Sequence, residues 1–259
     1  MAHGELDLLL AAAKRLAATM LENGGETYRA EEAVSRLRGL YGVQEVEALA
    51  LPTGVLIHIT ARDGAQTSGL VRVRSRRLDL GALAQANEIS RRLAGGALTA
   101  KDACTALDAL RRGNGKRARL TAPAVSAFSI GCFAVLMGGG ALEFGLSALC
   151  AFLSQLVCAF FQDEDMFYFI SSFIGGAVCA LTAVLSAALC GAGNIGIIIS
   201  ASILPLLPGM TLIGAIRDSM RGDLVSGAAR LGDVIVVALS LAFGVGAVLW
   251  LYGLTGGVL

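Results

Sequence analysis

The chain has 259 residues, 55% of them hydrophobic and 16% charged, with 33 glycines and a mean hydropathy of +0.69, well above the balance of a water-soluble domain. The net charge of +1 conceals an asymmetry: residues 1 to 119 hold 18 basic and 13 acidic side chains, whereas residues 120 to 259 hold 3 and 7. The whole-chain charge therefore says nothing about nucleic acid, no basic tail is present to suggest such a partner and none is expected, and this composition argues against an ordinary soluble protein.

His3 and His58 are the only histidines, and the six cysteines contain no C-x-x-C, so neither a metal site nor a histidine triad is expected. The cysteines read as small apolar packing residues. Glu5 and Asp7 lie near the start, without the basic-then-apolar order of a signal peptide, which predicts a cytoplasmic N-terminus.

Residues 1–116 read as a cytoplasmic α+β domain. Leu6, Leu9, Leu10, Ala13, Leu16, Ala17, Met20 and Leu21 follow helical spacing and stop at Gly24-Gly25. A second helix is expected over Tyr28 to Leu40. Two strands follow, Gly54 to Ala61 and Ser68 to Ser75, paired as a hairpin about Asp63-Gly64. Leu80 to Leu93 and Leu98 to Leu110 read as helices, the second opened by Thr99-x-x-Asp102, a variant of the capping box. Gly113-Asn114-Gly115 is the expected hinge into the remainder.

Residues 117–259 read as a membrane domain, since a crossing needs about 20 apolar residues. Charge-free stretches predict five transmembrane helices, at about 120–140, 144–162, 166–190, 195–214 and 234–257. The run Met166 to Ile216 is free of charge for 51 residues, too long for one crossing, and Cys190-Gly191-Ala192-Gly193-Asn194 is its natural break. The fold class is therefore an all-α bundle of five membrane helices preceded by a cytoplasmic α+β domain. Arg111, Arg112, Lys116, Arg117 and Arg119 precede the first span, and Arg217, Arg221 and Arg230 lie between the fourth and fifth. Basic loops stay inside, which places the C-terminus outside a multi-pass protein of the cytoplasmic (inner) membrane. The wholly acidic Asp163-Glu164-Asp165 would also be inside, which is tolerable because acids contribute little to topology.

Pro205-Leu206-Leu207-Pro208-Gly209 interrupts the fourth span, where each proline removes a donor and clashes with the preceding turn. It reads either as a kink relieved by packing or as a broken helix at a transport site. Arg217-Asp218-x-x-Arg221-Gly222-Asp223, followed by Ser226-Gly227 and Arg230-x-x-Asp233, comes just beyond. Its spacing favours a solvated loop whose charges pair among themselves at i,i+3 and i,i+4. The alternative makes Arg217 an anchor for a carboxylate. Asn194, Ser200, Ser202 and Thr211 are either pore-lining or simple interhelical contacts. Glycine pairs such as Gly138-Gly139 and Gly175-Gly176 read as close-packing sites. No G-x-x-x-x-G-K-[ST] occurs, so ATP-driven pumping by this chain is not expected. Glu31 with Glu32, and Arg72, Arg74, Arg76 and Arg77, read first as solvated faces, and nothing defines an enzyme active site.

In this order the pieces resemble the N-terminal half of the threonine/serine exporter family. The resemblance rests on Gly25-Glu26-Thr27-Tyr28-Arg29-Ala30-Glu31, on Leu51-Pro52-Thr53-Gly54, and on Arg72-Val73-Arg74-Ser75-Arg76-Arg77-Leu78-Asp79-Leu80. Its strongest part is Leu207-Pro208-Gly209-Met210-Thr211 with Ile216-Arg217-Asp218 and Gly222-Asp223-Leu224-Val225-Ser226-Gly227.

The resemblance implies export of small polar metabolites, threonine and serine in some members and dicarboxylates such as succinate in others. The driving force it implies is an ion gradient, expected to be protons, with no cofactor. It also implies a split form, in which this chain works with a second, smaller membrane subunit in the lipid bilayer, and as a homo-oligomer in one version. A chain ending at Leu259 fits that form. The expected substrate-binding residues are Arg217, Asp218, Pro205, Pro208, Gly209, Thr211 and Asn194, with Arg217 drawing a substrate carboxylate and Asp218 meeting an amino group or a coupling proton. Thr27, Arg29, Glu31, Pro52, Thr53, Gly54, Arg72 and Arg74 form the cytoplasmic-domain motif. A membrane-anchored metabolite sensor or hydrolase is the other class that these residues leave open.

Overall fold

Helix α1 (His3–Glu22) buries all eight of its periodic apolar residues, as an amphipathic stripe against a core must. It ends where expected: Gly24 takes φ +86° and the Gly25 N–H donates to the Met20 carbonyl at 2.8 Å, the 6→1 bond of a Schellman end. A Cβ on Gly25 would sit 2.6 Å from that same carbonyl oxygen, so a side chain has no room. The computed structural model describes residues 3–74, 78–113, 116–161, 168–190 and 193–255. They divide into two compact units, Met1–Asn114 with Thr211–Leu231, and Gly115–Met210 with Gly232–Leu259.

In the first unit α2 (Thr27–Ser35) is shorter than expected, because Arg36 caps it and the chain leaves through Gly39 at φ +90° and a 3-10 turn at Leu40–Gly42. Three strands follow, not two: β1 (Val43–Leu51), β2 (Gly54–Ala61) and β3 (Gln66–Arg72), antiparallel in the order β1-β2-β3. The additional strand β1 lacks clean alternation, since a register shift between Val43 and Glu45 brings Val43, Val46 and Ala50 to the buried side. That irregularity hides the period-2 signal. Val55, Ile57 and Ile59 of β2 are fully buried, as their common face predicts. They join one core with α1, α2, α3 (Leu80–Ala94) and α4 (Ala100–Gly113), where each large aliphatic side chain contributes about 1.5–3 kcal/mol of burial. Thr99 opens α4 by accepting from the Asp102 N–H at 3.1 Å, while its hydroxyl donates to the Asp102 carboxylate at 2.7 Å.

The second unit contains α5 (Lys116–Leu136), α6 (Ala141–Phe161), α7 (Tyr168–Cys190), α8 (Ile195–Ser202) and the greater part of α10 (Leu224–Leu254). Among the described residues α6, α7 and α10 are long and apolar enough to cross a membrane. A fourth crossing exists if the bent pair Ile195–Leu206 and Gly209–Met220 is one span, and α5 offers only the shorter apolar stretch Pro123–Leu136. The chain is thus mostly helical with three or four candidate spans and a small sheet near its N-terminus, and the five expected spans are not established. Arg230 and Asp233 made the final span look as if it began at 234, yet the helix starts at Leu224 and runs 31 residues, about 46 Å at 1.5 Å per residue. A hydrocarbon core is about 30 Å thick, so part of this helix extends beyond it.

Small residues set the helix spacing in this unit. A Cβ on Gly176 would lie 2.7 Å from the Leu241 carbonyl oxygen, one on Gly131 would lie 2.9 Å from the Phe144 ring, and one on Gly244 would overlap the Phe173 carbonyl. Close backbone approach of this kind replaces hydrophobic drive where the solvent is lipid. Gly138, at φ +92°, ends α5 instead. Phe128, Leu136, Leu185, Leu189, Phe243 and Trp250 face outward, a surface suited to acyl chains. The acidic loop, Arg76 with Arg77, and Asn114-Gly115 lie outside the described residues.

Candidate functional site

The proline segment is a true break. Pro205 sits in a 3-10 turn at Leu204–Leu206, Leu207 is extended, and α9 (Gly209–Met220) starts directly after Pro208. Proline suits these positions because the first amides of a helix have no intrahelical acceptor. Thr211 lies in the first turn of α9. Of the small polar residues, Ser202 is buried and its hydroxyl donates to the Ile198 carbonyl at 2.6 Å and the Ser147 carbonyl at 3.3 Å, which ties α8 to α6. Asn194 caps α8, accepting from the Ile197 N–H at 3.1 Å, while its own N–H donates to Glu143 at 3.1 Å.

Beyond the break, α9 and the start of α10 form a tight helical hairpin within the first unit. Gly222 takes φ +92° at the turn and the Asp223 N–H donates to the Asp218 carbonyl at 3.0 Å. Gly227 has no space for a Cβ against Ser219 and Ala215, and a Cβ on Gly214 would lie 3.0 Å from the Arg230 guanidinium. These glycines let the two helices close on one arginine.

Asp218 is 0% exposed and pairs with the nearly buried Arg230 at 2.9 Å. Arg230 also donates to the Gly25 carbonyl at 3.0 Å, and the Thr27 hydroxyl lies 3.3 Å from Asp218 and 3.4 Å from Asp223. Arg217 pairs with Glu26, whose other oxygen is 2.7 Å from Arg29, and the Arg221 guanidinium stacks 3.6 Å above the Tyr28 ring. The expected solvated loop with local i,i+3 and i,i+4 pairs is therefore corrected. Its residues lie on α9, on α10 and on the turn between them; Asp218 pairs with Arg230 across the hairpin and the other partners come from residues 25 to 28, because a buried carboxylate needs a charge and donors that its own helix does not supply.

Thr27, Arg217 and Asp218 are thus brought together, with Arg29 two residues along α2 from Thr27 and paired to Glu26. Glu31 points elsewhere, accepting from the Ala50 N–H at 2.7 Å. Burial raises its carboxyl above the ordinary value against the pull of that hydrogen bond, and Asp223 and Asp218 add to the rise. Pro52, Thr53 and Gly54 build the β1–β2 turn. The Thr53 carbonyl accepts from Val73 at 2.9 Å, and a Cβ on Gly54 would meet the Val71 carbonyl at 2.7 Å. Arg72 and Arg74 are exposed at the end of β3. These five form a scaffold locus separate from the Thr27–Asp218 contacts. Pro205, Pro208, Gly209 and Asn194 belong to the second unit. Among the described residues no group of three His, Cys, Asp or Glu is placed to hold a metal.

Residues 11–252 match the family model ThrE, described as "Putative threonine/serine exporter". The chain belongs to this family. It is 26% identical over 233 residues to the "Probable threonine/serine exporter" of Mycobacterium tuberculosis, covering 89% of this chain and 44% of that protein. It is 24% identical over 241 residues to the "Probable succinate transporter subunit YjjP" of Klebsiella aerogenes, covering 92% of this chain and 91% of that protein. The chain therefore spans less than half the length of the first relative and nearly all of the second. No solved structure matches it. The family match includes the Gly25–Glu31 segment, the proline break and the α9–α10 hairpin.

Glu26 and Arg230 were not singled out as site residues in the sequence. Glu26 had one signal, its place beside Thr27 in the family motif. Arg230 had only the charge it carries inside an apolar stretch, which is costly unless paired.

Proposed function

We propose that this chain is a subunit of a secondary transporter that exports small, polar, carboxylate-bearing metabolites of the threonine/serine type across the cytoplasmic membrane. The observation that carries the reading is the buried Asp218–Arg230 pair, hydrogen-bonded to Thr27 and set directly after a proline-broken helix, in a member of an exporter family. Ionisable groups at such a place mark ion or substrate paths by default. Asp218 serves as the site that senses the driving proton gradient. Arg217, half exposed and held by Glu26, exchanges that partner for the substrate carboxylate at the cytoplasmic mouth. Alternating access then moves the broken segment Pro205 to Gly209, with Thr211 and Asn194 on the substrate path. No enzymatic step is part of this reading.

Dicarboxylates such as succinate are the second reading, favoured by the relative of matching length, whose name is that of a succinate transporter subunit. That name also supports a partner: a second, smaller membrane subunit completes the transporter. Residues 1–116 lie in the cytoplasm and the C-terminus outside, in keeping with the arginines near residues 111 to 119.

The test is efflux of preloaded labelled threonine, serine and succinate from cells lacking their own exporters, with the chain expressed alone and with its small partner. Efflux only with both chains supports the split transporter and names its substrate. No efflux with both proteins in the membrane rejects it.

A further inference from the structure

The sheet of the N-terminal unit is covered on one side only. Val46, Ala50, Val55, Ile57 and Ile59 turn inward to the core that α1 helps to build, and the alternate residues turn outward, as the pleat requires. The register aligns Leu49 of β1, Leu56 of β2 and Leu70 of β3 in one row across the outer face. These leucines are 58%, 49% and 59% exposed, and Leu51 is exposed beside them at the end of β1. Single leucines on a surface carry no message, but a contiguous row over three strands marks a contact surface.

The polar residues around the row are sorted by strand. Outward from β1 stand Glu45 and Glu47, which when ionised only accept hydrogen bonds; outward from β3 stand Gln66, Ser68 and Arg72, which carry donors. His58 of β2 lies between Glu47 and Ser68 in its row and is bonded to the Ser68 hydroxyl at 2.7 Å. Two carboxylates to one guanidinium do not suit the negatively charged inner leaflet of a membrane. They do suit a second copy of the same face. A two-fold axis parallel to β2 reverses the strand order and keeps the position along each strand, so β1 lies over β3 of the second copy. Glu45 then faces Gln66, Glu47 faces Ser68, Leu49 faces Leu70, and Leu51 covers the aliphatic stem of Arg72, each pair made twice. Leu56 meets its own counterpart on the axis. A two-fold across the strands would instead set β1 over β1 and press both glutamates onto leucines, where a charge finds no partner.

We propose that two copies of this chain associate face to face through the outer side of the β1-β2-β3 sheet, about a two-fold axis along β2 with Leu56 on the axis. The contact is isologous, which requires the self-complementarity that the register supplies. Three strands about 4.8 Å apart and seven residues of about 3.4 Å each outline a face of roughly 300 Å², against about 800 Å² per partner in a standard interface. The contact is therefore weak between free molecules and forms between chains already confined to one membrane, where their effective concentration is high.

Membranes holding the full-length chain, with the exposed Cys132 and Cys190 changed to serine, test this with a short bifunctional thiol reagent. Leu56→Cys should link to itself in a second copy, and Leu49→Cys in one tagged copy should link to Leu70→Cys in a differently tagged one. Facing positions are one sheet spacing apart, about 10 Å, whereas like positions on β1 or on β3 are offset by about 10 Å more across the strands, so they should stay unlinked. Leu56→Arg and Leu56→Glu each place a charge against its own copy, so either should abolish the β1–β3 link, and a mixture of one arginine copy with one glutamate copy should restore it. Should either variant fail to fold, the pattern of links among the three leucine positions decides alone. No link at Leu56→Cys, a link from it to a different protein in place of a second copy, like positions linking as well as the β1–β3 pair, or loss of that link with one sign of charge only overturns the proposal. None of these readouts uses transport, so a missing link leaves the transport reading standing and failed efflux leaves this contact standing.

Discussion

Glu26 and Arg217 stand 191 positions apart in the chain and close an ion pair. It joins the start of α2 to the last turn of α9, so the N-terminal unit is completed by a segment from the far end of the chain. Arg217 keeps 45% of its side chain exposed, and an exposed pair of this kind contributes about 0.2–1 kcal/mol. Glu26→Arg and Arg217→Glu should each lower the unfolding free energy, and the double variant should recover about that much in a double-mutant cycle.

Asp218 and Arg230 differ from that pair because both are buried. Removing one leaves an uncompensated charge, so Arg230→Ala should destabilise the protein by about 3–5 kcal/mol. Thr27→Val, which removes one long hydrogen-bonding hydroxyl, should cost about 1 kcal/mol. Denaturant unfolding of the three proteins checks the order; equal losses for both variants contradict it.

Glu31 supplies a pH dependence. Its carboxyl is raised in the folded protein by burial, so the folded state holds this proton more tightly than the unfolded chain. Its favourable contribution is therefore complete below the ordinary carboxylate pKa and is lost as pH rises through the raised value. Glu31→Gln keeps an acceptor for the Ala50 N–H and cannot ionise. Relative to wild type, the variant should gain stability as pH rises above the ordinary carboxylate range, measured by denaturation midpoint, and a difference independent of pH speaks against the assignment.

The glycines of α10 predict opposite signs. A Cβ at Gly227 collides with Ser219 and sits 3.0 Å from the Ala215 carbonyl oxygen, while one at Gly246 meets nothing within 4 Å. Gly227→Ala should cost about 1–3 kcal/mol through overpacking. Gly246→Ala should be neutral or stabilising by up to about 1 kcal/mol, from helix propensity alone.

Much of the N-terminal unit was legible because local rules decide it. The stripe of α1, its glycine stop, the Asp63-Gly64 hairpin and the Thr99 cap all follow from neighbours in sequence. The strand β1 was not legible, since a bulge breaks its alternation. The start of α10 was not either, because Arg230 reads as a loop charge until its buried partner is known. Membrane spans were legible as apolar runs but not as a count, since Pro205 and Pro208 divide one run into helices of different direction. The candidate site was half legible. Thr27, Arg217 and Asp218 stood in family motifs, whereas their convergence with Glu26 and Arg230 is a long-range contact that no spacing announces.

The most direct test of the transport reading separates coupling from movement at Asp218. With the small partner present, Asp218→Asn keeps a hydrogen-bonding side chain beside Thr27 but cannot carry the coupling proton. The account predicts that exchange of labelled for unlabelled substrate across the membrane persists in this variant while net, gradient-driven efflux is lost. Net efflux at the wild-type rate, with the same dependence on the proton gradient, would contradict it.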